Sequence, residues 1–199
     1  MSPLLLASQS ESRRRLLEAA AVPFEVVRAG VDEDAARDAL EADGLGARAM
    51  ADALGELKAI RPSMRSGEAF VLGCDQTLEA ADGSRIDKVE TREQAAELLA
   101  RLSGTTHKLH SAAVIAQGGA PIWRHIETVS LQMRPLSPAF IAHYLDLDWD
   151  ECRWCVGCYR IEGPGAQLFS RVNGSHFAVQ GLPLLHLLDY LRTRSILMA

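Results

Sequence analysis

Ser8, Ser10 and Ser12 precede Arg13, Arg14 and Arg15, just after the apolar run Leu4–Ala7. A helix starting there would offer free N–H groups and a dipole that favours an anion. Arginine forks grip phosphoryl oxygens with two parallel bonds, and serine hydroxyls add donors. Together these groups could hold a polyphosphate. They could equally form a solvated helix face whose arginines offset some of the 26 acidic residues.

The acids are placed for a complementary task. Asp75 follows the apolar residues 69–74, at an expected strand end, where α/β proteins often face a ligand crevice; an isolated Asp there would otherwise cap a turn. Asp32 and Glu33 stand at another junction. Two or three such carboxylates, brought together, would suit Mg²⁺ or Mn²⁺, which prefer oxygen ligands and bridge phosphates. Lys58 and Lys88 are candidate cations, although each taken singly reads as a surface residue. Acids, cations and a phosphate site make up the kit for phosphoryl chemistry: they neutralise charge, orient water and stabilise the departing group.

Other chemistries find less support. The six histidines show no H-E-x-x-H spacing. No G-x-S-x-G elbow, G-x-G-x-x-G or G-x-x-x-x-G-K-[ST] occurs, so a serine nucleophile and both common nucleotide fingerprints lack a signal. Trp123, Trp149 and Trp154 are scattered and form no stacking series. Cys152, Cys155 and Cys158 are spaced like zinc or iron–sulfur ligands. Their stretch reads as a short strand, which favours incidental thiols over a metal site.

These groups must be carried by a framework, and composition bounds it. With 199 residues and 48% apolar content the chain supports one sizeable core, so we expect one domain over residues 1–199. A net charge of −5 gives no basic face for nucleic acid. No apolar run reaches the roughly 18 residues of a membrane span, and the arginines follow the leucines, unlike a signal peptide. A cytoplasmic chain is the expectation.

The pattern predicts strands at Leu4–Ala7, 24–27 and 69–74, with a helix between the first two, capped by Ser10 or Ser12. Residues 35–60 read as helix broken at Asp43-Gly44, and 61–68 as a loop. A turn at Asp82-Gly83 leads to a short strand at 85–88. A helix at 90–102 is capped by Thr91, and strands at 108–116 and 121–133 flank Gly118-Gly119. A helix follows from Ser137-Pro138 to about 147, then strands at 155–161 and 168–172, and a helix over 181–191. Interleaved helices and strands with two hairpin turns predict an α/β fold around a mixed, twisted sheet.

Several segments, read in order, resemble the Maf family of nucleoside triphosphate pyrophosphatases. LLLASQSESRRRLL is similar to the family's opening phosphate segment, and Val31-Asp32-Glu33 to its acidic turn. Leu57-Lys58-Ala59 falls at its lysine–alanine pair, and VLGCDQ at the strand bearing its catalytic Asp. Leu102-Ser103-Gly104 with His107, and FSRVNGSHFAVQGLPL, follow later family patterns. The resemblance implies a Maf/ITPase-like α/β fold in two lobes with a cleft between them, often in a homodimer. It implies hydrolysis between the α and β phosphates of a nucleotide with a divalent cation, Mg or Mn. By the same resemblance Ser8, Ser10, Arg13 and Arg14 bind phosphate, Glu33 and Asp75 organise the metal, and Lys58 and Lys88 neutralise the triphosphate. Asp75 is then either the base that activates water or a metal ligand.

Within the family, Asp75-Gln76 and the segment Tyr159–Gly163 resemble the branch acting on 7-methyl-GTP. Glu162 could accept from guanine N1–H and the 2-amino group, whereas a Gln there would pair with a pyrimidine edge. The alternatives are a dTTP- or UTP-preferring enzyme, a noncatalytic nucleotide-binding regulator of cell division, and a small zinc protein built on the cysteines. The chain departs from the family at Glu11, where Pro is common, at Ser12, at Asp87-Lys88-Val89 in place of Gly-Lys-Pro, at Gln180, and at Val156-Gly157-Cys158-Tyr159 in place of Ala-Gly-x-Tyr.

Overall fold

A computed structural model describes residues 4–198; residues 1–3 and 199, the ends of the expected domain, lie outside it. In chain order the elements are β1 (Leu4–Ala7), α1 (Glu11–Ala19), β2 (Phe24–Val26), α2 (Glu33–Ala42), α3 (Ala47–Ser63), β3 (Phe70–Glu79) and β4 (Arg85–Ile86). There follow α4 (Arg92–Leu102), β5 (Thr106–Gln117), β6 (Ala120–Met133), α5 (Pro138–Cys152), a 3-10 turn (Pro164–Leu168), β7 (Phe169–Asn173), α6 (His176–Val179) and α7 (Leu184–Thr193). The seven strands form one sheet in the order β2-β1-β3-β5-β6-β7, with β4 added to β3. Pairing is parallel among β2, β1 and β3 and antiparallel elsewhere. The mixed sheet expected from the sequence is present.

Helix starts follow side chains that satisfy free N–H groups. Ser10 accepts from Arg13 N, Asp32 from Ala35 N, and Ser137 from Phe140 N. Thr91 forms a capping box whose partner is Gln94.

Helix α3 lies on one face of the sheet at unusually close range. A Cβ on Gly73 would come within 2.3 Å of Gly55 O and 2.4 Å of Ala59 N, so only glycine fits there. On the opposite face two cores follow one another along the long strands β5 and β6. One joins Leu4, Leu6, Leu17, Cys74, Ala113 and Ile115 to Leu184, Leu187 and Leu191 of α7. The other joins Leu78, Leu109, Val129 and Leu131 to Leu99 of α4 and to Ile141, Tyr144 and Leu145 of α5. Gln76 and Ser111, paired in register, fall between them. Each fully buried leucine contributes about 1.5–3 kcal/mol relative to exposure.

Three expectations need correction. Asp75 does not end its strand; β3 continues to Glu79, because β5 pairs with it as far as that residue. Helix α3 runs through Pro62 to Ser63: the proline forgoes one donor, and the helical bonding resumes beyond it with Met64 N on Ile60 O. Residues 155–161 are not a strand. Cys158 has φ of +53°, and local bonds such as Cys158 N to Cys155 O fold the segment into successive turns.

Candidate active site

The site originates in a break in strand pairing. On one edge of β3, β1 pairs only as far as Gly73, and β4 begins only at Leu78. Residues 74–77 therefore have no strand neighbour on that edge. Their backbone groups need other partners, and Cys74 O accepts from Arg13 Nη1 at 3.1 Å. Asp75 and Gln76 open into a cleft of about 950 Å³.

Side chains on β3 alternate between the two sheet faces. Asp75 shares the Gly73 face with α3. Because Gly73 lets α3 approach so closely, Lys58 Nζ reaches Asp75 Oδ1 at 2.8 Å, and it also meets Glu33 Oε2 at 2.7 Å from the first turn of α2. Lys58 and Asp75 are both 6% exposed, and Glu33 is half-exposed. One cation thus joins two carboxylates from different elements. Gln76 lies on the opposite face, where its amide nitrogen donates to Ser111 Oγ at 2.9 Å and to Ala178 O and Val179 O at 3.0 Å. Its nitrogen is committed to holding α6 against the sheet.

Arg13 is buried in the wall of the cleft. Its Nε donates to Gly181 O at 2.8 Å, and its Nη1 to Ser8 Oγ at 3.2 Å as well as to Cys74 O. Ser8 Oγ also accepts from Ser10 N at 3.3 Å. Ser8, Ser10, Arg13, Glu33, Lys58, Asp75, Gln76, Lys88 and Glu162 all line the cleft. Arg14 does not. It is exposed, with Nη2 on Glu11 at 2.7 Å and Nε on Glu18 at 3.5 Å, because its position in α1 turns it to solvent. Glu11, where the family commonly has Pro, is paired with Arg14 and with Arg15 at 3.1 Å.

Lys88 lies two residues beyond β4, and its side chain has solvent access from the cleft. Its ammonium is pushed below the usual lysine value, first by partial burial and then by the charges of Arg13 and Lys58, with Asp75 opposing. Glu162 is exposed, on the turn beyond Arg160, whose guanidinium is ion-paired with buried Asp148. The structure also brings Arg15, Arg28, Arg37, Arg85 and Arg160 to the cleft lining. Arg15 belongs to the serine–arginine segment read from the sequence, while the other four are spread along the chain with no motif to announce them.

The donor set of Asp75 and Glu33 fits a hard divalent ion. Each carboxylate has one oxygen on Lys58 and a second beyond that bond, and Mg²⁺ is typically held by one or two carboxylates plus substrate phosphates. The cysteines are free thiols, and burial pushes Cys155 and Cys158 up to about 12 and Cys152 up to about 11. Among the described residues their sulfurs do not belong to a group of three convergent donor atoms. Among the described residues, none of the helices is long and apolar enough to cross a membrane.

Fold and cleft define a mixed-sheet α/β protein in which acids and cations from distant segments meet at a gap in strand pairing. The chain belongs to the Maf family: the family model described as Maf-like protein matches residues 3–194. It is 49% identical over 193 residues to a protein of Sphingopyxis alaskensis, covering 97% of this chain and 98% of that one. It is 45% identical over 197 residues to one of Caulobacter vibrioides, covering 99% and 98%, and 44% identical over 197 residues to one of Rhodospirillum rubrum, covering 99% and 97%. All three relatives bear the name nucleoside triphosphate pyrophosphatase.

Proposed function

We propose that this chain hydrolyses nucleoside triphosphates between the α and β phosphates, giving a nucleoside monophosphate and pyrophosphate, with 7-methyl-GTP as the preferred substrate. The observation that carries the reading is the Lys58 bridge between Asp75 and Glu33, set beside Arg13 in one cleft. The relatives' shared name supports the reaction class.

Asp75 and Glu33 would hold Mg²⁺ or Mn²⁺, which when bound supplies charge neutralisation for the triphosphate and polarises a phosphoryl oxygen. Arg13, through its anchors, keeps the Ser8 hydroxyl and the start of α1 facing the phosphates. Lys58 and Lys88 offset negative charge that builds on the departing pyrophosphate. The second oxygen of Asp75 either takes the proton of the attacking water or holds the ion that activates it; the water oxygen bonds to Pα as the Pα–O–Pβ bridge breaks, its proton passing to Asp75 or to solvent. The pyrophosphate leaves with the bridging oxygen.

Base selection falls to Glu162, since the Gln76 nitrogen is engaged with α6. A carboxylate accepts from both guanine N1–H and the 2-amino group. Trp154, 68% exposed and lining the same cleft, has the Arg153 guanidinium 5.0 Å from its ring centroid, and a 7-methylated guanine carries the positive charge that its other face would attract.

The test is pyrophosphate release with Mg²⁺ or Mn²⁺ across 7-methyl-GTP, GTP, dTTP, UTP and CTP. The expected result is fastest turnover of 7-methyl-GTP, with that preference lost in Glu162→Gln. Faster turnover of dTTP or UTP keeps the reaction and overturns the base assignment. Binding without turnover of any nucleotide would make the chain a nucleotide sensor instead.

A further inference from the structure

A second group of donors lies on the sheet face turned away from Lys58 and Asp75. His125 and Glu127 are two apart on β6, so both side chains project from the same face. Their register partners are Ala113 and Ser111, and beyond these Cys74 and Gln76, which places them on the α7 side. His186 comes down from α7. Its ring stacks on that of His125, centroids 3.7 Å apart and 14° from parallel, and its Nδ1 is 4.0 Å from Glu127 Oε2. One donor atom from each of the three residues lies within 4.8 Å of the others.

We propose that His125, Glu127 and His186 form a tridentate site for a borderline first-row transition ion of the Zn²⁺ type. Two imidazole nitrogens and one carboxylate oxygen are a donor set for zinc rather than for a hard ion such as Mg²⁺, and three protein ligands leave a fourth position open. Bonds of about 2.0–2.2 Å place tetrahedral donors roughly 3.3–3.5 Å apart, so the three must close by about an ångström, and since the lone pair of an imidazole nitrogen lies in the ring plane the His125–His186 stack must open as they do. His186 has the freedom to do so, its side chain being 51% exposed. Glu127 is already oriented: its Oε1 accepts from Ser175 N at 3.2 Å, the kind of supporting bond that aims a metal-binding carboxylate. Ser175 caps α6, whose carbonyls hold Gln76. An ion here, with water in the fourth position, would tie α7 and α6 to β6 at a place separate from the cleft.

Co²⁺ is the probe, because its d–d absorption reports coordination by nitrogen and oxygen, while thiolate charge-transfer bands would report the cysteines instead. The wild-type chain is expected to take up one equivalent with tetrahedral d–d bands that Zn²⁺ displaces. Asp75→Asn should keep those bands. His186→Ala, at an exposed helical position that tolerates alanine, and Glu127→Gln, which preserves the acceptor for Ser175 N, should each weaken Co²⁺ binding at least tenfold. Zn²⁺ should raise the Tm of the wild type and not of His186→Ala. Unchanged Co²⁺ affinity in both variants, thiolate bands in place of d–d bands, or no uptake by the wild type would overturn the proposal. None of these readouts depends on turnover.

Discussion

Lys58 Nζ stands 2.8 Å from Asp75 Oδ1, with both side chains nearly sealed from solvent. With Glu33 on the same ammonium, the trio carries two negative charges and one positive. Removing the cation strands a buried carboxylate. Lys58→Met should cost about 3 kcal/mol of stability, the low end for breaking a buried pair because Glu33 is half-exposed. Urea unfolding measures it, and a loss below about 1 kcal/mol would mean that water screens the trio.

Asp75→Asn keeps the shape of the side chain and removes its charge. Pyrophosphate release should fall by about 10²–10⁴-fold, while the urea midpoint falls less than in Lys58→Met, because Glu33 still pairs the Lys58 ammonium. Undiminished turnover in a folded variant would remove Asp75 from the reaction.

Gly73→Ala tests how the pair is brought together. Its methyl group would collide with backbone atoms of Gly55 and Ala59, which cannot rotate aside. Pushing α3 off the sheet should cost about 1–3 kcal/mol or more and should lower turnover too, since Lys58 moves with the helix. Wild-type thermal stability in this variant would contradict the close approach.

His107 sets an acid limit on stability. It is 1% exposed, its Nε2 meets Tyr159 Oη at 2.7 Å, and its Nδ1 is buried with no partner among the described residues. Burial lowers its pKa from 6.5 to about 4. Between those values the unfolded chain binds a proton that the native chain refuses, so stability rises with pH there. The contribution, at most about 3 kcal/mol, is complete above about pH 6.5 and is lost as pH falls towards 4. His107→Leu should flatten the dependence of the urea midpoint between pH 4.5 and 7.5 (roughly this window), even if it lowers the midpoint throughout by leaving the Tyr159 hydroxyl without its partner. An unchanged slope would assign the acid limit to other groups.

The residue types of the candidate site were legible in the sequence, since serines, arginines, acids and lysines at element junctions already pointed to phosphate. Which of them meet was less so. Arg13 and Arg14 are neighbours, and only the way α1 seats on the sheet buries one and exposes the other. Asp75 read as a strand end, but what ends there is the pairing with β1, and strand partners are not written locally. The turns at 155–161 escaped the pattern because a left-handed Cys158 overrides an apolar run that resembles a strand. His125, Glu127 and His186 share no motif at all; a strand and a helix distant in sequence bring them together.

The Arg13 guanidinium ties the first helix to Gly181 across 168 positions of chain. Forming the first helix locally therefore does not complete the phosphate wall; a pairing between segments far apart in sequence does, and contacts of such long separation form slowly because the loop between them must close first.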